Sequence, residues 1–253
     1  MTDPAPQQLS PGEILDAERF MEYEAAVARD SPLVGRVVSL LDRDGMSVCD
    51  VGGASGVFLQ EVLRRAGRPV EACVMEVNAA YRDRLEDPAI GFVEQSILDN
   101  RIADGAFDIV VFRHILHHLV GPDLRQTRAN QARALDELIR IARPGGWLLF
   151  EEEVNNVRAF SRAVYLLSRA AARWRVRCRF FDAGKVVVSF LTRREIQALL
   201  DQRARRGDLE AVRTQYTPWP MPLRWKLTLL MSRVGMVTCE ARVSRAGGPG
   251  GES

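Results

Sequence analysis

The sequence predicts an α/β fold, a mostly parallel sheet wrapped by helices on both faces. Apolar strand-like runs alternate with helix-like runs from residue 46 to residue 151, the pattern of parallel strands joined by crossover helices. A glycine-rich turn follows the first of these strands directly, in Val48-Cys49-Asp50-Val51-Gly52-Gly53-Ala54-Ser55-Gly56. Chemically unusual residues recur at the carboxyl ends of the other strands, where open α/β sheets bind ligands.

Residues 1–12 are rich in Pro and Gln, and Ser10-Pro11-Gly12-Glu13 has the form of a helix start, with Ser10 as cap and Glu13 in capping-box position. One helical region to about Val27 and another from Pro32 to Leu41 precede the first strand. Strand Met46–Val51 leads to helix Val57–Ala66, closed by Gly67; strand Val70–Val77 leads to helix Asn78–Leu85; a short strand covers Ile90–Val93. Strand Phe107–Phe112 leads to a long helix near Arg125–Ala142, stopped by Pro144-Gly145-Gly146 ahead of strand Trp147–Glu151. Residues 156–182 break the alternation: they are helix-like and Arg-rich, with Phe160, Val164, Leu167 and Ala171 at the spacing of one packed face. Thr192-Arg193-Arg194-Glu195 is a capping box for a helix to about Arg205, and Ala211–Tyr216 and Met236–Val243 read as strands. The tail Gly247-Gly248-Pro249-Gly250 has linker composition.

The glycine turn points to a nucleoside ligand. Gly52, Gly53 and Gly56 allow close backbone approach, and the helix that follows offers free N–H donors. Glu76 closes the second strand twenty residues beyond Gly56, where a carboxylate can accept both hydroxyls of a ribose. The dinucleotide order G-x-G-x-x-G is not met, and an anion at Asp50 would repel phosphate. Asp50 suits instead a ligand carrying an ammonium and a sulfonium.

On these residues the chain resembles the class I S-adenosylmethionine-dependent methyltransferases: Asp50-Val51-Gly52-Gly53-Ala54-Ser55-Gly56 matches the D-V-G-G-x-x-G variant of their first motif, with Ala54 in place of the commoner glycine. The resemblance is strong over residues 46–152. It implies a Rossmann-like, seven-stranded, mostly parallel sheet that ends in an antiparallel pair. It also implies N-terminal helices and a helical insertion after strand five. S-adenosyl-L-methionine is the implied cofactor and S-adenosyl-L-homocysteine its product. Asp50, Gly52, Gly53, Gly56, Glu76 and Val77 are then cofactor-binding, and Ser96 and Ile97 take the places of the adenine-binding acid and its apolar neighbour. Arg113, at the end of the fourth strand, would pair with the cofactor carboxylate, bind an acidic substrate, or pack over the strand edge.

All three histidines, His114, His117 and His118, fall within five residues of that strand end, and His is the side chain most easily tuned for proton transfer near neutral pH. The run resembles the small-molecule O-methyltransferases, in which a His at the position of His117 deprotonates the acceptor hydroxyl and a Glu at the position of Glu152 orients it; His118 and Leu119 replace the Asp and Trp of that pattern. His117 could equally be structural or position the substrate. Zinc bound by the histidines and a glutamate is the rival chemistry, but the His-Glu-x-x-His pattern is absent and no metal is expected. His114, Tyr165 and Trp219, with Trp174 and Tyr216 nearby, are candidates for the acceptor pocket, although aromatics at helical spacing more often belong to a core.

Composition narrows the classes. The 253 residues are read as one methyltransferase domain: 1–41 a helical cover, 42–155 the cofactor-binding core, 156–210 a helical lid and 211–245 the closing strands. A net charge of +2 gives no global basic footprint for nucleic acid. Only two of the 35 basic residues, Lys185 and Lys226, are lysines, which reads as codon bias of a GC-rich genome. No apolar run reaches the roughly 18–20 residues of a membrane span. The N-terminus lacks a signal pattern, and the scattered Cys49, Cys73, Cys178 and Cys239 read as free thiols of a cytoplasmic protein. The expected function is methyl transfer to a small hydrophobic or aromatic metabolite of natural-product metabolism, with O-methylation favoured over N- or C-methylation. An RNA or tRNA methyltransferase and a methyltransferase fold catalysing a cyclisation stand as alternatives. The N-terminal helices would cover the site or build a homodimer.

Overall fold

In the computed structural model, residues 31–174, 187–220 and 233–244 are described. The first predicted helix, the Arg-rich stretch beyond Trp174 and the Gly-Pro tail lie outside them. Seven strands form one sheet: β1 Met46–Val51, β2 Val70–Glu76, β3 Ile90–Glu94, β4 Phe107–Arg113, β5 Ala142–Asn155, β6 Leu209–Pro218 and β7 Val234–Val243. Their order is β3-β2-β1-β4-β5-β7-β6. β1 through β5 run parallel, and β7 enters antiparallel between β5 and β6. The strand order reverses at β1 and β4, so the crevice between their carboxyl ends is the place such a sheet offers a ligand.

Two apolar layers explain the arrangement. On one face, α1 (Pro32–Leu40) and α2 (Val57–Ala66) bury Leu33, Val34, Val37, Phe58, Leu59 and Val62 against Val48, Val74, Ile109 and Val111. On the other, α3 (Leu124–Ile141) and α5 (Arg193–Arg205) bury Leu135, Leu138, Ile196 and Leu200 against Val110, Phe112, Phe150 and Cys239. β1 and β4 are buried on both faces, which is why they read as continuous apolar runs. Ser31 caps α1 by accepting from the Leu33 N–H at 3.2 Å, and its hydroxyl donates to Glu151 at 3.3 Å. That contact ties the helix to the strand end that carries the glutamates.

Three expectations are corrected. The segment expected as helix Asn78–Leu85 is a 3-10 turn, Ala79–Arg84, capped by the Asn78 side chain; six residues do not offset the cost of nucleating an α-helix. Pro144-Gly145-Gly146 does not separate helix from strand. β5 starts at Ala142, opposite Phe107, and resumes pairing at Trp147, opposite Ile109. The residues between bulge outward, and Gly146 is required there because a Cβ would lie 2.7 Å from the Asp108 carbonyl. The face expected to be packed on α4 (Arg158–Arg173) is displaced: Ser161 and Tyr165 are buried, and Leu167 is 58% exposed. Hydrogen bonds rather than apolar spacing set that rotation, since Ser161 donates to the Asn155 carbonyl at 2.9 Å and Tyr165 to the Gly121 carbonyl at 3.2 Å.

The capping box is present as expected. Thr192 accepts from the Glu195 N–H at 3.1 Å, and Glu195 accepts from the Thr192 N–H at 2.8 Å. Thr192→Ala should therefore lower stability by about 1 kcal/mol, read as a lower denaturant midpoint with an unchanged slope; an unmoved midpoint would contradict the cap.

Candidate active site

The glycine loop is shaped by its own contacts. Gly52 has φ +72° and donates its N–H to the Met75 carbonyl at 2.7 Å; a Cβ on it would strike Ile115. Gly53 leaves room for the Asp50 carboxylate, which a Cβ would approach to 2.7 Å. Ala54, the departure from the family's glycine, keeps the left-handed backbone at φ +44°, a strained choice for a residue with a Cβ. Gly56 caps α2 at φ +76° with no side-chain capping bond, so the helix presents its N-terminus to the loop.

Asp50 is buried on β1 and accepts from Arg113 at 3.0 Å; the guanidinium also lies 4.2 Å over the Phe58 ring. Burial pushes the Asp50 carboxyl up, and the Arg113 charge opposes it. Two polar atoms of this pair, Asp50 Oδ1 and Arg113 Nε, are buried without a hydrogen-bond partner among the described residues. A buried acceptor and a buried donor left open on one ion pair match the ammonium and carboxylate of an α-amino acid. Glu76 is buried at the end of β2, and its Oε1 accepts from the N–H groups of Val77 at 2.8 Å and Asn78 at 3.1 Å. Burial raises the Glu76 carboxyl while those N–H groups lower it. Val77 is 50% exposed, an apolar surface beside the carboxylate. These residues fit S-adenosylmethionine at its amino-acid and ribose ends. The adenine end is less open: Ile97 is buried in the core, and Ser96 accepts from the Leu98 N–H at 3.2 Å.

The histidine run folds around Glu152. This fully buried carboxylate accepts from the N–H groups of Ile115 at 3.1 Å, Leu116 at 2.8 Å and His117 at 3.4 Å, and lies 2.5 Å from His117 Nδ1. The pairing expected between His117 and Glu152 is therefore present. Burial alone would lower the His117 pKa, but the charge and hydrogen bond of Glu152, with Glu153 beyond, outweigh it and raise it. Phe190 stacks on the imidazole at 5.0 Å between ring centres and His118 leans on it at 4.1 Å. The Ser189 N–H donates to the His117 carbonyl at 2.9 Å, which fixes the segment carrying Phe190 over the ring. Glu153, a neighbour that spacing did not single out, lies 2.8 Å from His114 Nδ1 and 3.5 Å from His117 Nδ1. His117, Glu152 and Glu153 bring one ligand atom each within 4.8 Å of one another, and the 2.5 Å contact of His117 Nδ1 with Glu152 has the length of a hydrogen bond.

The structure thus brings Asp50 and Arg113 together, and His117 with Glu152 and His114 with Glu153. Tyr165, read as an acceptor-pocket candidate, is packed inside the protein. That ring is 2% exposed, and its hydroxyl donates to Gly121 and accepts from Arg169 at 2.8 Å, so it anchors α4 to the loop after the histidines. Trp219 is 37% exposed at the end of β6. Phe190 had no sequence signal, because only tertiary packing places it over His117.

A family model described as a methyltransferase domain matches residues 18–204. The ubiquinone/menaquinone biosynthesis C-methyltransferase UbiE of Idiomarina loihiensis is 28% identical over 131 residues, 49% of this chain and 49% of that protein, so the match spans about half the length of the curated relative. An S-adenosylmethionine-dependent methyltransferase from Methanosarcina mazei shares the fold with a TM-score of 0.59 at 16% identity, over 83% of this chain and 98% of that one. The N-methyltransferase NodS from Bradyrhizobium japonicum shares it with a TM-score of 0.50 at 16% identity, over 91% and 99%. With the family model covering most of its length, the chain belongs to the methyltransferase-domain family, and its fold is that of the class I S-adenosylmethionine-dependent methyltransferases.

Proposed function

We propose that the protein methylates an oxygen of a small hydrophobic or aromatic metabolite, with His117 as general base. We place it in the cytoplasm, where its buried free thiols Cys49 and Cys239 suit a reducing compartment, and in natural-product metabolism. The observation that carries the reading is the buried His117–Glu152 pair beside the cofactor-binding strand ends. When bound, S-adenosylmethionine supplies an electrophilic methyl group on its sulfonium. Asp50 and Arg113 would hold its amino-acid end, Glu76 its ribose hydroxyls, and Val77, Ser96 and Ile97 its adenine. Glu152 keeps the neutral ring's proton on Nδ1, which leaves Nε2 of His117 free to take the acceptor proton. Orientation of the two reactants supplies most of the rate. His114 and Trp219 border the acceptor.

A second reading is C-methylation, favoured by the relative named as a C-methyltransferase; a carbon flanked by ionisable oxygens would use the same base. No helix among the described residues is long and apolar enough to cross a membrane. The purified protein, given S-adenosylmethionine with a 13C-labelled methyl group and a panel of phenolic and hydroxylated hydrophobic acceptors, should yield a product with one added methyl whose carbon shift is that of a methoxy group. A methyl on carbon would establish the second reading. A cyclised product without it, or transfer only to RNA, would overturn both. His117→Ala should lower turnover about 10²–10⁴-fold with cofactor affinity nearly kept; unchanged turnover removes the base.

The pH dependence has a definite sign. His117 acts as a base only when unprotonated, and its pKa is raised above the ordinary 6.5. The acid limb of kcat/KM should therefore lie above pH 6.5, with activity lost as pH falls through it. A limb below 6.5 would contradict the raised value.

A further inference from the structure

Glu152 and Glu153 are consecutive on β5, facing Val237 and Met236 of β7. Consecutive strand side chains point to opposite faces, yet both carboxylates reach His117 Nδ1, at 2.5 and 3.5 Å. The chain after β4 makes this convergence. His114 adopts φ +57°, an uncommon left-handed backbone for a residue with a side chain, and its N–H donates to the Glu151 carbonyl at 2.9 Å. The turn wraps the loop over the end of β5 and sets His114 Nδ1 2.8 Å from Glu153 Oε1. Strain of this kind persists only where the surroundings over-determine it, and it collects at functional sites.

We propose that Glu153, set close against His114, is a positioning residue that stabilises the imidazolium form of His117 alongside Glu152. The proposal rests on the reading of His117 as the base. When His117 takes the acceptor proton, the positive charge forms with two carboxylates at its Nδ1 side rather than one. Glu152 is already committed to three backbone N–H groups. Glu153 Oε2, by contrast, is buried without a hydrogen-bond partner among the described residues and is open to that charge. Burial disfavours the Glu153 carboxylate, but the His114 contact and the His117 charge outweigh it and hold the group at about 2, ionised throughout the working range.

Among the described residues, the ionisable groups around His117 are few. β5 contributes Glu152 and Glu153, and its own loop contributes His114 and the exposed His118. Residues 187–191 contribute Phe190 and no ionisable side chain. From α3, Gln131 bonds the Leu116 and Ser189 carbonyls, and Arg128 bonds the Phe190 carbonyl.

With only three histidines in the chain, histidine-labelled protein gives three ring signals, and each can be titrated by NMR and assigned with His114→Gln and His118→Gln. In the intact protein His117 should titrate above 6.5, with the neutral ring carrying its proton on Nδ1. Glu153→Gln should move that midpoint to lower pH, and Glu153→Asp should restore it. His114→Gln, which releases Glu153, should move it the same way and serves if Glu153→Gln does not fold. A His117 midpoint unmoved in a folded Glu153→Gln or His114→Gln protein overturns the proposal. The readout needs neither cofactor nor acceptor, so failure of methyl transfer would strike the functional reading and leave this result to be judged separately.

Discussion

One buried carboxylate organises the chain around the carboxyl ends of β4 and β5. Glu152 accepts three consecutive N–H groups of the chain leaving β4 and the ring of His117 as well. A carboxylate taken fully out of water is costly unless its lone pairs are filled, and here the loop fills them. The same bonds that satisfy the charge therefore fix the path of residues 115–117 and the orientation of the imidazole. Replacing Glu152 would leave several buried N–H donors unpaired at once, so its structural and chemical roles cannot be separated by truncation. The His117 ring is the part that can be changed without unpicking the loop.

The cofactor end follows a different logic. Asp50 and Arg113 form a buried pair with one acceptor and one donor atom left without a hydrogen-bond partner among the described residues. The glycines beside it are fixed by neighbouring side chains as much as by any ligand. Gly52 makes way for Ile115, Gly53 for Asp50, and Gly56 for Leu85. The loop is thus pre-shaped by the packed protein, and Ala54 tolerates a left-handed backbone because the residues on either side demand the turn. Preorganisation of this kind lowers the ordering cost of binding.

The parts of this molecule that were legible in the sequence are those encoded by short spacing. Strand, acidic residue, glycine turn and helix occupy residues 46–66, and β1 and α2 fall within those bounds. Glu76 ends β2 as read, and the resemblance to the small-molecule O-methyltransferases pointed to Glu152 beside His117. What was not legible depends on contacts between distant segments. The bulge at Arg143–Gly146 answers to the Asp108 carbonyl of the neighbouring strand, so Pro and Gly there looked like a stop. The buried side of α4 is chosen by Tyr165 reaching Gly121 and Ser161 reaching Asn155, not by its apolar residues. Glu153 was hidden because strand alternation places it away from Glu152; only the left-handed turn at His114 brings it back.

The central claim is that Asp50, Glu76 and the glycine loop form an S-adenosylmethionine site. Calorimetry with S-adenosylhomocysteine on the wild-type protein and on Glu76→Ala tests it most directly, because product binding needs neither acceptor nor catalysis. The expected result is one site with a dissociation constant of about 1–100 µM, a binding free energy of about −5.5 to −8 kcal/mol, weakened at least tenfold in a folded Glu76→Ala protein. Binding that is unchanged in that variant, or no heat from the folded wild-type protein, would contradict it.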